Sequence, residues 1–214
     1  MITIEGLIKF YTPYHYIGLL ALVVAVYVYI TKKKTFPLFI PFLFVNSFVE
    51  MFLVYYFGVK IKNSLVVYNY FTILVILYYF YVYYDFFKSK SWSKYIVLVA
   101  VIWIIYVIYV ISNEDMFTSF KNYYLIGLVI ISLLIFIFFK GSLESKYLTD
   151  ITKLPMFYFS LGILLLFFSS LTIFAFPDKL LINSESNLYP LLIIFSNFLL
   201  NLGYLGTALC VKKN

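Results

Sequence analysis

The sequence contains no arginine: all sixteen basic residues are lysines. Planar, bidentate clamping of phosphate or carboxylate is therefore closed to this chain. It has one cysteine, Cys210, and one histidine, His15. An internal disulfide and a Cys/His metal cluster are excluded. Any histidine-dependent triad would have to use His15, around which no acid or nucleophile is patterned. No cofactor is implied. Charge is scarce as well: 12% of the 214 residues are Asp, Glu or Lys, against about 25% charged in ordinary soluble domains.

What is there in excess is apolar sequence, 64% of residues, with a mean hydropathy of +1.00. Too little polar surface remains to coat a water-soluble globule. Seven apolar runs reach the length of about twenty residues needed to cross a bilayer core. They lie at 14–31, 36–58, 64–84, 93–112, 121–140, 154–176 and 187–211. The predicted fold is therefore all-α, a single domain (1–214) forming a bundle of seven transmembrane helices. Each gap carries turn or charge signals, such as Lys32-Lys33-Lys34, Lys88-Ser89-Lys90 and Asn113-Glu114-Asp115. Phe36-Pro37 and Leu154-Pro155 predict a proline in the first turn of the second and sixth spans, where it is tolerated.

Lysine placement predicts the direction of threading. Eleven lysines fall on one side (Lys32, Lys33, Lys34, Lys88, Lys90, Lys94, Lys140, Lys146, Lys153, Lys212 and Lys213). Five fall on the other (Lys9, Lys60, Lys62, Lys121 and Lys179). The amino terminus is expected outside and the carboxyl terminus in the cytoplasm, with the chain in the cell (inner) membrane. The inner side has only Asp85, Glu144 and Asp150 against its eleven lysines, whereas five acids balance the outer five. The formal +7 thus reads as a topology signal and an attraction to anionic lipid headgroups, not as a nucleic-acid surface. The first span is not expected to be a cleaved signal peptide, since its basic cluster follows the apolar run. Tyrosines near span ends, including Tyr55, Tyr56, Tyr78, Tyr79, Tyr81, Tyr83, Tyr84, Tyr123 and Tyr124, are expected to form interfacial belts.

Glu50 is the one acid well inside an apolar run. Intramembrane acids are costly and usually face a cavity or a partner. Asn46 lies one helical turn earlier on the same face. Glu50 itself lies roughly 12 Å below the outer end of its span. Asn69 and Thr72 in the third span reach a similar depth, as do Ser169, Ser170 and Thr172 in the sixth and Asn197 in the seventh, with Asn201 a turn deeper. Converging faces would make a small polar cavity in the outer half, closed toward the cytoplasm by apolar and tyrosine layers. His15 would line its mouth. The candidate ligand-binding set is thus Glu50, Asn46, Asn69, Thr72, Asn197, Asn201 and His15. The plainer alternative is that these groups hydrogen-bond between helices, with a protonated Glu50 bonded to Asn69. Gly203-Tyr204-Leu205-Gly206 and Ser169-Ser170 predict close helix contacts.

Asn46-Ser47-Phe48-Val49-Glu50, then Asn63-Ser64-Leu65 leading to Tyr68-Asn69-Tyr70-Phe71-Thr72, resembles the small seven-helix membrane proteins of Bacteroidota. Ser196-Asn197 and Asn201 resemble their final helix. The resemblance spans about a third of the chain and implies the heptahelical fold; it implies no particular activity. That pattern carries a second acid after the Asn/Tyr/Thr cluster, where this chain has Ile73-Leu74-Val75. Phe36-Pro37 with Tyr68 also echoes Leu154-Pro155 with Tyr189. The echo suggests spans one to three and five to seven as parallel repeats in the manner of SWEET-type transporters, though the Pro-Gln pairs of that family are missing.

Three functions fit these residues. The first is a sensor or receptor-like subunit that binds a small solute or lipid in the outer half and acts through a protein partner or oligomer. The second is a small-solute transporter with Glu50 as a proton or cation site. The third is an assembly subunit whose polar residues hold helices together. No paired acid–base set supports an enzyme: retinal chemistry lacks a lysine within the last span, and an intramembrane aspartyl protease lacks a second acid.

Overall fold

A computed structural model describes residues 13–32, 34–116, 122–144, 148–175 and 188–211. Among these the chain is all-helical, without a strand. The helices are α1 (Pro13–Lys32), α2 (Phe39–Phe48), α3 (Leu65–Phe87), α4 (Lys94–Asn113), α5 (Asn122–Glu144), α6 (Pro155–Ala175) and α7 (Leu188–Leu209). Seven helical segments are long and apolar enough to cross a membrane. This is the architecture of an integral membrane protein, because only closed hydrogen-bonding within the segment lets a backbone sit in hydrocarbon. Lys9, Lys33, Lys121, Lys146, Lys179, Lys212 and Lys213 of the topology count lie outside the described residues.

The second span departs from a plain α-helix. After α2 come a π-helical segment, Val49–Leu53, a short α turn, Val54–Tyr56, and a second π segment, Phe57–Ile61. Hydropathy carries no trace of this, since a π turn changes the winding and not the composition. The segment ends at Lys62, whose left-handed backbone (φ 56°) lets the Asn63 amide donate to the Phe57 carbonyl at 3.2 Å. The two prolines also differ. Pro155 opens α6 as expected, but Pro37 sits in a turn before α2, closed by the Phe39 amide donating to the Phe36 carbonyl at 3.1 Å. Leu38, in the left-handed region at φ 48°, ends that turn, so α2 starts later than the proline suggested.

The chain divides into two compact units, one drawn from 1–51 and 138–214, the other from 52–137. In the first, α7 packs along both α6 and α1, and α1 packs on α2. The α6–α7 seam is a backbone contact. A Cβ on Gly203 would stand 2.7 Å from the Gly162 Cα and 2.8 Å from the Tyr158 carbonyl oxygen. A Cβ on Gly206 would meet the Tyr158 ring at 2.7 Å. The Gly203–Gly206 surface is thus the close helix contact its small residues predicted, and dispersion across it replaces the hydrophobic effect that lipid cannot supply. At one end of the unit, the Lys32 ammonium donates to the Val211 carbonyl at 2.5 Å, a cation placed where a helix C-terminus carries partial negative charge.

In the second unit α3 packs on α4, and Trp103 of α4 lies against Phe80 of α3 and Tyr123 of α5. The tyrosine belt splits by helix face. Tyr78, Tyr79 and Tyr83 are buried while Tyr81 and Tyr84 are exposed, and Tyr55 and Tyr123 are buried as well. Positions four apart share a face, so half of the expected belt is core.

Replacing Gly203 by Ala should cost about 1–3 kcal/mol, since the methyl meets backbone that has nowhere to go. Gly141, whose added Cβ would touch nothing within 4 Å, should gain up to about 1 kcal/mol as Ala. Denaturant unfolding of the two variants in micelles checks this pair, and losses of similar size would refute the seam.

Candidate functional site

The first unit contains a small polar cavity lined by Tyr14, His15 and Gly18 from α1, Asn46 and Ser47 from α2, Glu50 and Met51 from the π segment, and Asn201 from α7. Its free space is about 10 Å³ for the centre of a water-sized body, on the order of one water molecule. Four of the seven sequence-predicted residues meet here: His15, Asn46, Glu50 and Asn201.

His15 Nε2 stands 3.9 Å from Glu50 Oε2, with the two side chains 3% and 17% exposed. That separation exceeds a hydrogen bond, so the contact is electrostatic. The Tyr14 ring stacks on the imidazole at a centroid distance of 4.0 Å and fixes its plane. Glu50 sits in the π segment, a local winding that recurs at functional sites because it re-aims side chains within an otherwise regular helix.

Asn201 is held from its own helix. Its Nδ2 donates to the Asn197 carbonyl at 2.9 Å, and Asn197 Nδ2 donates in turn to the Ile193 carbonyl at 2.9 Å. The amide nitrogen is thereby engaged, and the oxygen is the end turned away. A Cβ on Gly18 would stand 3.0 Å from that oxygen, so glycine at this position is what lets Asn201 approach α1. Asn201 Oδ1 and Ser47 Oγ are buried and have no hydrogen-bond partner among the described residues. Each such atom costs about 1–3 kcal/mol when left unsatisfied, so the two mark the cavity as built for something polar.

One turn further along α7, Tyr204 is 1% exposed and packs against Phe39 and Phe42 of α2 and Phe159 of α6, at centroid distances of 5.5–6.1 Å. Phe36 adds to Phe159 at 5.1 Å. This aromatic layer lies on the side of Asn201 toward the α7 carboxyl end.

Asn197 serves as the brace for Asn201 and does not line the cavity. Asn69 and Thr72 belong to the second unit. There Asn69 Nδ2 donates to the Met116 carbonyl at 2.8 Å, and the Asn69 carbonyl accepts from the Tyr123 hydroxyl and from Thr72 Oγ1, the latter at 3.0 Å. Trp103 Nε1 completes this knot by donating to the Tyr123 carbonyl at 2.9 Å. Within this unit Asn69 therefore ties α3 to the segment at Met116 and to α5. Ser169 and Thr172 donate to carbonyls of their own helix. Sequence reasoning missed Tyr14, Gly18, Ser47 and Met51. Ser47 was legible as the residue three before Glu50, and Gly18 as the small residue three after His15; nothing in the sequence singles out Met51.

No family model matches the chain, and no curated protein or solved structure matches it significantly.

Asn69→Leu leaves the Met116 carbonyl without its donor and should destabilise the protein by about 1–2 kcal/mol. Thr72→Val, which loses a bond local to its own helix, should cost about 0.5 kcal/mol or less. Unfolding free energies of the two variants test the knot, and equal effects would contradict it.

Proposed function

We propose that this chain is a receptor-like subunit of the cell membrane that reads the outer side through the cavity at His15, Asn46, Glu50 and Asn201. The observation that supports this reading is the pair of buried oxygens without hydrogen-bond partners among the described residues, Asn201 Oδ1 and Ser47 Oγ, in the wall of that cavity. Next to it along α7, Tyr204 packs against Phe39, Phe42 and Phe159, an apolar layer rather than a polar path. The lysine asymmetry supports an outside amino terminus, which puts the cavity in the outer half. A space of about one water favours a very small ligand over an organic solute or a lipid tail. In this reading the output passes through a partner protein or a second copy of this chain.

Orientation is tested with single cysteines in a Cys210→Ser background, placed at the exposed Lys90 and Glu114. A membrane-impermeant maleimide added to intact cells should label Glu114→Cys and spare Lys90→Cys until the membrane is opened. The reverse pattern overturns the orientation.

The receptor reading also predicts no transport. Proteoliposomes holding the full chain should show neither sodium uptake nor proton flux above protein-free vesicles. Flux that disappears in Glu50→Gln would overturn this reading in favour of a carrier.

A further inference from the structure

The cavity wall carries buried oxygens that nothing in the described chain satisfies. Asn201 Nδ2 donates to the Asn197 carbonyl, while its Oδ1 has no hydrogen-bond partner among the described residues. Ser47 is equally telling. Ser132, Ser169 and Ser196 each donate to a carbonyl three or four residues back on their own helix, the usual way a hydroxyl is satisfied in a membrane span. Ser47, 92% buried by its 8% exposure, has no such bond among the described residues. Its oxygen is left to face the cavity it lines. Asn201 is 5% exposed, and its Oδ1 is in the same state.

These two oxygens share the cavity with the Glu50 carboxylate and the Asn46 side chain. Two buried acceptor oxygens beside a carboxyl group, with room for about one water, suit a small, hard monovalent cation, whose hydration shell such oxygens replace. A divalent or transition-metal centre is poorly served, because no group of three or more His, Cys, Asp or Glu forms among the described residues. We propose that this cavity binds a single alkali cation of sodium size, held by Glu50, Asn201 Oδ1 and Ser47 Oγ. The proposal rests on the polar-site reading above and names the ligand class for it.

His15 also belongs to the wall, with its Nε2 3.9 Å from Glu50 Oε2.

The test is thermal unfolding of the purified full chain in neutral detergent, followed by tryptophan fluorescence, in equal concentrations of sodium chloride or choline chloride. At about pH 8, above the usual histidine range, sodium should raise the Tm by about 5 °C over choline. The shift should vanish in Glu50→Gln and shrink in Ser47→Ala, a small change that retains the fold if the glutamine variant does not. Equal Tm values in sodium and choline overturn the cation proposal. If the Tm then still moves with pH in the wild type and not in Glu50→Gln, the polar site stands with a proton as its ligand. If neither salt nor pH acts through Glu50, the site reading falls with the proposal.

Discussion

Hydrocarbon offers no hydrogen bonds, and this single constraint orders the structure at every level. It requires each span to be helical, so that backbone donors and acceptors are paired within the segment. It acts on side chains in the same way. Ser132, Ser169, Thr172, Ser196 and Thr207 each return a hydroxyl to their own helix, and Asn197 returns its amide. Against that rule the exceptions stand out. Asn69 sends its amide across to Met116, and Ser47 and Asn201 direct oxygens at a cavity. The first exception is structural, and the second pair defines the candidate site.

Close packing does the work that the hydrophobic effect does in water. Along α6 and α7 the glycines at 162 and 203 bring backbones into contact, and Gly18 does the same for α1 and the Asn201 side chain. Small residues therefore serve two ends in the first unit. They hold helices together, and they set the distance at which a polar side chain meets its neighbour. The aromatic layer around Tyr204 fills the space just beyond the cavity, so a polar chamber and an apolar plug are stacked along the same helices.

The structure also shows where local winding matters. Glu50 lies in a π segment, and the cavity gathers it with residues from α1, α2 and α7. Counting at a uniform rise placed Asn46 and Glu50 on one face, and both do line the cavity. The same count placed Asn197 at matching depth, yet it braces Asn201 and does not line the cavity. Depth is a property of one helix, whereas convergence needs the rotation of several.

The sequence alone determined that this is a seven-span helical protein and placed the span ends to within a few residues, apart from the second. A run of about twenty apolar residues meets the length of the bilayer whatever its neighbours do. The same source singled out Glu50, because one acid in such a run is costly wherever it points. Only the tertiary structure decided which polar groups meet. In a soluble helix an apolar stripe reports the buried face, but here lipid and protein interior are equally apolar and the faces look alike in sequence. The inward position of Tyr79, Tyr83 and Tyr123, the bond from Asn69 to Met116, and the company that His15 keeps with Glu50 and Asn201 all depend on rotation about the helix axis, which hydropathy does not encode.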